Sequence, residues 1–270
     1  MSHDVPAWAP AVDATAYGAF PLPLHRPDGP VPAYFGYVRA PAFEHLARWA
    51  QAAFGPAEAA GLRRCRTRAR ELSYLSGRFA AWQAVARYLN GRGNRGFEIS
   101  SGVFNQPIVR CPVMEPPAIT ISHTGDVAVA IAHDAGHLMG IDVERTLVVS
   151  RAIVDFLTPA ERRLAETIPS DEYGRLTAVW TMKEALSKAL KCGFTVPFDI
   201  FEISRLEIEG DGRVRSEFSN FGQYKCQTWI LRTHVLSIAM PRKTDVTFDP
   251  TLLQPLPEPH RNERRFTGIR

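Results

Sequence analysis

The chain has 270 residues, 45% hydrophobic and 22% charged, with a formal net charge of +4. That length suits one large domain or two small ones; no apolar run approaches the ~20 residues that cross a bilayer, and no basic segment followed by an apolar one marks a secretory leader. The four cysteines, Cys65, Cys111, Cys192 and Cys226, form no CxxC pair, which argues against a structural zinc or a disulfide framework and fits a reducing cytoplasm.

Residues 1–33 carry seven prolines and read as an extended lead-in that wraps the body. Residues 34–39 are a short strand candidate. Residues 41–54 read as a helix with Phe43, Leu46, Trp49 and Phe54 near one side. A long helical pattern follows over 66–89, with Leu72, Leu75, Phe79, Trp82 and Leu89 as buried candidates. The Gly91-Arg-Gly-Asn run stops it. Strands are expected over 97–100, 118–122, 127–133 and 138–143. Short helices are expected over 153–156 and 159–166, and a longer one over 175–190, closed by Cys192-Gly193. Residues 200–208, 214–218, 227–232 and 235–240 read as an antiparallel sheet. The polar, proline-bearing stretch from Arg242 reads as a mobile tail.

Charge is unevenly spread. Between Leu62 and Arg95 there are nine arginines and one glutamate, and between Arg261 and Arg270 four arginines and one glutamate. A dense arginine block is either a solvated helix face or a site for an anion. No zinc finger or interleaved aromatic repeat points to nucleic acid. An internal echo runs through the chain: Pro56-Ala-Glu58, Gly77-Arg78 and Trp82 are answered by Pro159-Ala-Glu161, Gly174-Arg175 and Trp180. It predicts an α+β chain of two similar halves, each a small antiparallel sheet packed on a long helix, with a ligand cleft between them. The division expected is 1–139 for the N-terminal half, 140–242 for the C-terminal half and 243–270 for the basic tail.

Three stretches carry candidate chemistry. In Gly140-Ile-Asp142-Val-Glu144, two carboxylates at strand spacing point to one face, which is unfavourable unless a cation neutralises them or water solvates them. In Trp180-Thr-Met-Lys183-Glu184-Ala-Leu-Ser-Lys188, Glu184 and Lys188 are one helical turn apart. They form either a surface ion pair or part of a packed site in which Glu184 needs a partner. Three carboxylates with water and phosphate oxygens suit magnesium. The turn Ile121-Ser122-His123-Thr-Gly125-Asp126 presents hydroxyls and an imidazole to an anion, or simply caps a hairpin. There is no G-x-S-x-G elbow, P-loop or G-x-G-x-x-G run.

Taken in order, Gly77-Arg78, Asn105-Gln106-Pro107, Ile121-Ser122-His123-Thr-Gly125-Asp126, Gly140-x-Asp142-x-Glu144 and Trp180-x-x-Lys183-Glu184-Ala185-x-x-Lys188 resemble the 4′-phosphopantetheinyl transferases of the surfactin-synthetase-activating type. The resemblance spans roughly residues 55 to 240. It implies a pseudo-dimeric monomer with holo-acyl-carrier-protein synthase activity: magnesium-dependent transfer of 4′-phosphopantetheine from coenzyme A to a serine of an apo acyl or peptidyl carrier protein. On that resemblance Asp142, Glu144 and Glu184 hold magnesium, and Glu184 is also the base for the carrier serine. Lys188 stabilises the departing 3′,5′-ADP, and Ser122, His123 and Arg78 bind the 3′-phosphoadenosine end. The family often has a lysine where this chain has Gln106. Residues 145–179, between the two acid motifs, are the expected carrier-docking segment, with Arg151, Arg162 and Arg163 as its basic groups. No membrane or nucleic-acid partner is expected. The same acids would also serve a metal-dependent nucleotide pyrophosphohydrolase acting on coenzyme A-like substrates, with water in place of serine.

Overall fold

The computed structural model describes residues 16–89, 96–112, 115–146 and 156–253. Two antiparallel sheets each carry a long helix on one face, the α+β arrangement expected from the echo. The first sheet has the order β1-β3-β7-β6, from β1 (Tyr17–Pro21), β3 (Ala33–Arg39), β7 (Val127–His133) and β6 (Ala118–Thr124). Its helix is α3 (Arg68–Leu89), flanked by α1 (Phe43–Ala53) and α2 (Pro56–Arg63). The second sheet has the order β8-β12-β11-β10-β9, from β8 (Gly140–Arg145), β12 (His234–Pro241), β11 (Tyr224–Ile230), β10 (Val214–Phe218) and β9 (Ile203–Ile208). Its helix is α5 (Glu172–Ala189), preceded by α4 (Pro159–Ala165). A separate hairpin pairs β4 (Glu98–Ser101) with β5 (Pro107–Arg110).

Period-two alternation sorts the strands between cores. Along β7, Ala128, Ala130 and Ala132 face α3, while Val127, Val129 and Ile131 join a core shared with the second sheet. Along β8, Ile141 and Val143 enter that shared core. Gly140, Asp142 and Glu144 therefore lie on the opposite pleat, toward α5. A Cβ at Gly140 would stand 1.9 Å from the Ala185 carbonyl oxygen, so only glycine lets the helix settle this close.

The same close approach recurs in the first half, where a Cβ at Gly36 would stand 2.2 Å from the Ala80 carbonyl. The halves also share a buried node. Glu58, third residue of α2, accepts from the Gly55 amide (3.1 Å) and from the backbone of Ile99. Glu161, third residue of α4, accepts from the Thr158 amide (2.8 Å) and the Ile203 amide (3.0 Å). The cation facing Glu161 is Lys183, at 2.9 Å; the one near Glu58 is Arg78. Structural equivalence thus pairs Arg78 with Lys183. The Pro-Ala-Glu part of the echo holds its register, but Gly77-Arg78 does not pair with Gly174-Arg175. Helix register is set by the glutamate node and the glycine contact, not by the shared Gly-Arg dipeptide.

Several elements differ from expectation. The lead-in supplies edge strand β1 and the two-residue β2 (Leu24–His25). The stretch after Arg242 is not free: β13 (Asp245–Val246) pairs with β2, Leu253 is buried, and Phe248 packs on Phe20, Phe35 and Trp229. Apolar residues too sparse to show a period thus dock through shape and a two-residue ladder. α2 and β5 are elements that the sequence patterns left as connections. The Gly91 loop, most of the 153–156 helix and the basic tail from 254 lie outside the described residues. Among the described residues no helix is long and apolar enough to cross a membrane.

Candidate active site

The halves meet along β6 and β8, where side chains of one strand bind amides of the other. Thr120 Oγ1 accepts from the Ile141 amide (3.2 Å), and Ser122 Oγ accepts from the Val143 amide (3.2 Å) while donating to Asp142 Oδ1 (2.8 Å). Lys188 Nζ, reaching from α5, donates to the same Asp142 oxygen at 2.6 Å. Asp142 is 2% exposed and its second oxygen, Oδ2, is buried with no hydrogen-bond partner. Glu184, one turn before Lys188, is buried as well, and its Oε1 also lacks a partner. Burial, then the Asp142 charge, pushes the Glu184 carboxyl up to about 7, against the pull of Lys188. Burial and Asp142 push Glu144 up to about 7 too, opposed by Lys188 and a hydrogen bond from Thr124. Three carboxylates and one ammonium therefore lie within electrostatic reach of one another at a single junction. The negative charge exceeds what Lys188 can neutralise.

A cavity of about 610 Å³ opens beside this junction against α3, and Arg64, Arg66, Arg70 and Arg78 line it. Arg78 is 8% exposed, lies over the Tyr74 ring at 5.1 Å, and its Nε has no hydrogen-bond partner. A guanidinium presented this way suits an anion. His123 stands on the wall of the same cavity, open to water yet enclosed by protein; that enclosure, then Lys188 and Arg70, lowers its pKa. A second cavity of about 220 Å³ lies between the β4–β5 turn, β6 and the end of α5. Asn105, Pro107 and Ile121 line both cavities, so they adjoin, and Lys188 stands in the second.

Of the residues singled out from sequence, Asp142, Glu144, Glu184, Lys188 and Ser122 come together, and Arg78 and His123 share the neighbouring cavity. Ser122 does not line that cavity: its hydroxyl is spent on Asp142 and the β8 backbone. Gln106 uses its side-chain oxygen to accept from the Phe104 amide (2.9 Å), folding the turn. Lys183, adjacent to Glu184 in sequence, is fully buried against Glu161 and away from the junction. Sequence reasoning did not single out Glu161 or the individual arginines Arg64, Arg66 and Arg70. The arginine block was the signal for the latter; Glu161 offered only its place in the Pro-Ala-Glu echo.

The segment carrying the acid motifs matches a known family. Residues 138–239 match the family model of the 4′-phosphopantetheinyl transferase superfamily. This segment is a 4′-phosphopantetheinyl transferase superfamily domain. It runs from the start of β8 into β12 and contains Asp142, Glu144, Glu184 and Lys188; Arg78, Ser122 and His123 lie before it. No curated protein matches the chain.

Enzymes of the transferase superfamily typically use magnesium, and the donor set of this domain can be tested for it. Among the described residues no three carboxylate, imidazole or thiol side chains stand in a ready-made metal cluster, and Lys188 is the counter-ion of Asp142. The two orphaned buried oxygens, Asp142 Oδ2 and Glu184 Oε1, nevertheless supply hard, anionic donors of the kind magnesium takes. Those two oxygens are chemically suited to the ion.

A pH dependence follows. The folded protein holds protons on Glu144 and Glu184 up to about pH 7, whereas the unfolded chain releases them near the ordinary carboxyl value. The pair's contribution to stability is thus fully present below about pH 4.3 and is lost as pH rises toward 7. The melting temperature of Glu144→Gln/Glu184→Gln should therefore fall less over that window than that of the unmodified protein in EDTA. Magnesium should stabilise the unmodified protein more at pH 8 than at pH 5, as thermal melts in the two buffers will show.

Proposed function

We propose that the chain transfers 4′-phosphopantetheine from coenzyme A to a serine hydroxyl of an apo acyl or peptidyl carrier protein and releases 3′,5′-ADP. The observation that carries this reading is the gathering of Asp142, Glu144, Glu184 and Lys188 within the superfamily domain, with Lys188 lining a cavity that adjoins the arginine-lined one. Arg78 and its neighbouring arginines hold the anionic nucleotide end, and His123 packs beside it. Asp142, Glu144 and Glu184 hold magnesium, which supplies charge neutralisation on the diphosphate. Glu184 accepts the proton of the incoming serine hydroxyl. The serine oxygen forms a bond to the β-phosphorus as the bond to the bridging oxygen breaks. Lys188 faces the negative charge that leaves on the α-phosphate.

The carrier is taken to dock over residues 145–179, between the two acid motifs, and the enzyme to act as a cytoplasmic monomer. Arg162 and Arg163 are exposed on α4, with Phe156 and Tyr173 as exposed aromatics nearby in sequence. A basic, partly apolar surface suits the acidic face of a carrier. Arg163→Glu should raise KM for the carrier while leaving KM for coenzyme A alone, and equal carrier KM values would remove α4 from the interface. The reaction is tested by incubating enzyme, coenzyme A and magnesium with and without an apo-carrier. Release of 3′,5′-ADP only with the carrier supports transfer; release without it indicates a pyrophosphohydrolase.

A further inference from the structure

We propose that Lys191 binds the diphosphate of the substrate in the cavity between the two halves. The inference rests on the functional reading above for the identity of the ligand, and on geometry for the site. Lys191 follows α5 with φ of +58°, a left-handed conformation. Its amide donates to the Lys188 carbonyl (3.2 Å) and the Cys192 amide to the Ser187 carbonyl (3.2 Å), the hydrogen-bond pair of a Schellman stop. Glycine or asparagine is usual at that position, because a Cβ there is strained. A lysine therefore sits where glycine would be the easier residue. Helix stability is a weak reason for it, since Lys188 already places a positive charge in the last turn of α5.

The surroundings supply a stronger reason. Lys191 lines the 220 Å³ cavity together with Lys188, Asn105 and Gln106. Gln106 carries no charge, and its carbonyl groups are committed to the turn, accepting from the Phe104 and Gly102 amides. Lys188 is drawn onto Asp142. Among the described residues Lys191 has no carboxylate within ion-pair distance, which leaves its ammonium available to a ligand entering the cavity. Lys188 and Lys191 line the same cavity, so two ammonium groups can flank one diphosphate.

Lys191→Gly separates the two roles, because glycine suits the left-handed turn and removes only the cation. Calorimetric titration of the purified protein with coenzyme A and, separately, with inorganic pyrophosphate should show affinities about tenfold weaker in Lys191→Gly, as for the loss of one charge-assisted contact. The melting temperature should be unchanged or higher. KM for coenzyme A should rise, with most of the effect on KM rather than kcat, and Lys191→Arg should restore binding. Unchanged pyrophosphate and coenzyme A affinities in Lys191→Gly would overturn the proposal, whether or not stability changed. If the unmodified protein transferred no phosphopantetheine, the functional reading would fall, while the pyrophosphate comparison would still decide the role of Lys191.

Discussion

Glu184→Gln is expected to lower the rate of phosphopantetheine transfer by roughly two to four orders of magnitude, the range for loss of a positioned general base, without unfolding the protein. Glutamine has the same shape, so the packing of α5 is retained. It cannot take the serine proton, and it is a poorer partner for magnesium. Stability should hold or rise, because Glu184 is buried, its Oε1 has no hydrogen-bond partner, and its charge lies against those of Asp142 and Glu144. Removing it relieves repulsion instead of breaking a contact. The check is a pair of measurements on one preparation: single-turnover transfer, and a thermal melt in EDTA. Activity within about tenfold of the unmodified enzyme would mean that Glu184 is not the base.

Lys183→Met is expected to act in the opposite way, on the fold first. Lys183 and Glu161 are both fully buried, 2.9 Å apart. The Glu161 carboxylate is saturated by Lys183, the Thr158 amide and the Ile203 amide, and Lys183 also reaches the Phe156 carbonyl (3.3 Å) and lies 4.9 Å from the Phe198 ring centre. This node ties α4 and β9 to α5. Taking away the ammonium leaves a carboxylate in the interior without its counter-charge, a loss of roughly 3–5 kcal/mol. For a chain of this size that lowers the melting temperature by about 10 °C. Adding Glu161→Gln should recover much of the loss, since the unpaired charge goes with it, and a double-mutant cycle by denaturant unfolding gives the coupling. Equal melting temperatures for Lys183→Met and the unmodified protein would contradict this account. The lysine inside the Trp180-to-Lys188 motif is thus structural, in contrast to the catalytic role proposed for its neighbour Glu184.

What could be read from the sequence was local. Asp142 and Glu144 two apart on a strand, and Glu184 and Lys188 four apart on a helix, have their relative directions fixed by backbone period alone. Because the strand and helix pack face to face through Gly140 and Ala185, those two local pairs meet. The fold class followed from strand runs and the Pro-Ala-Glu echo for the same reason. What was not legible depends on pairings distant in the chain. Nothing near Ser122 announces that its hydroxyl will bridge β6 to Asp142 and β8, and nothing near Lys183 announces Glu161. The true register of the duplication, pairing Arg78 with Lys183, needed the glutamate nodes in space. β13 and the Phe248 contacts escaped because two residues of ladder leave no period to detect. The left-handed turn at Lys191 escaped because the usual signal, a glycine, stands two residues later at Gly193.

The junction of the two halves is proposed to move phosphopantetheine to a protein serine. Intact-mass spectrometry of several apo-carrier proteins, each incubated with the enzyme, coenzyme A and magnesium, tests it directly. At least one carrier should gain the mass of a single phosphopantetheine on its serine, the gain should be abolished by EDTA, and Glu184→Gln should form it far more slowly. Carriers that all remain at their apo mass while 3′,5′-ADP accumulates would contradict it.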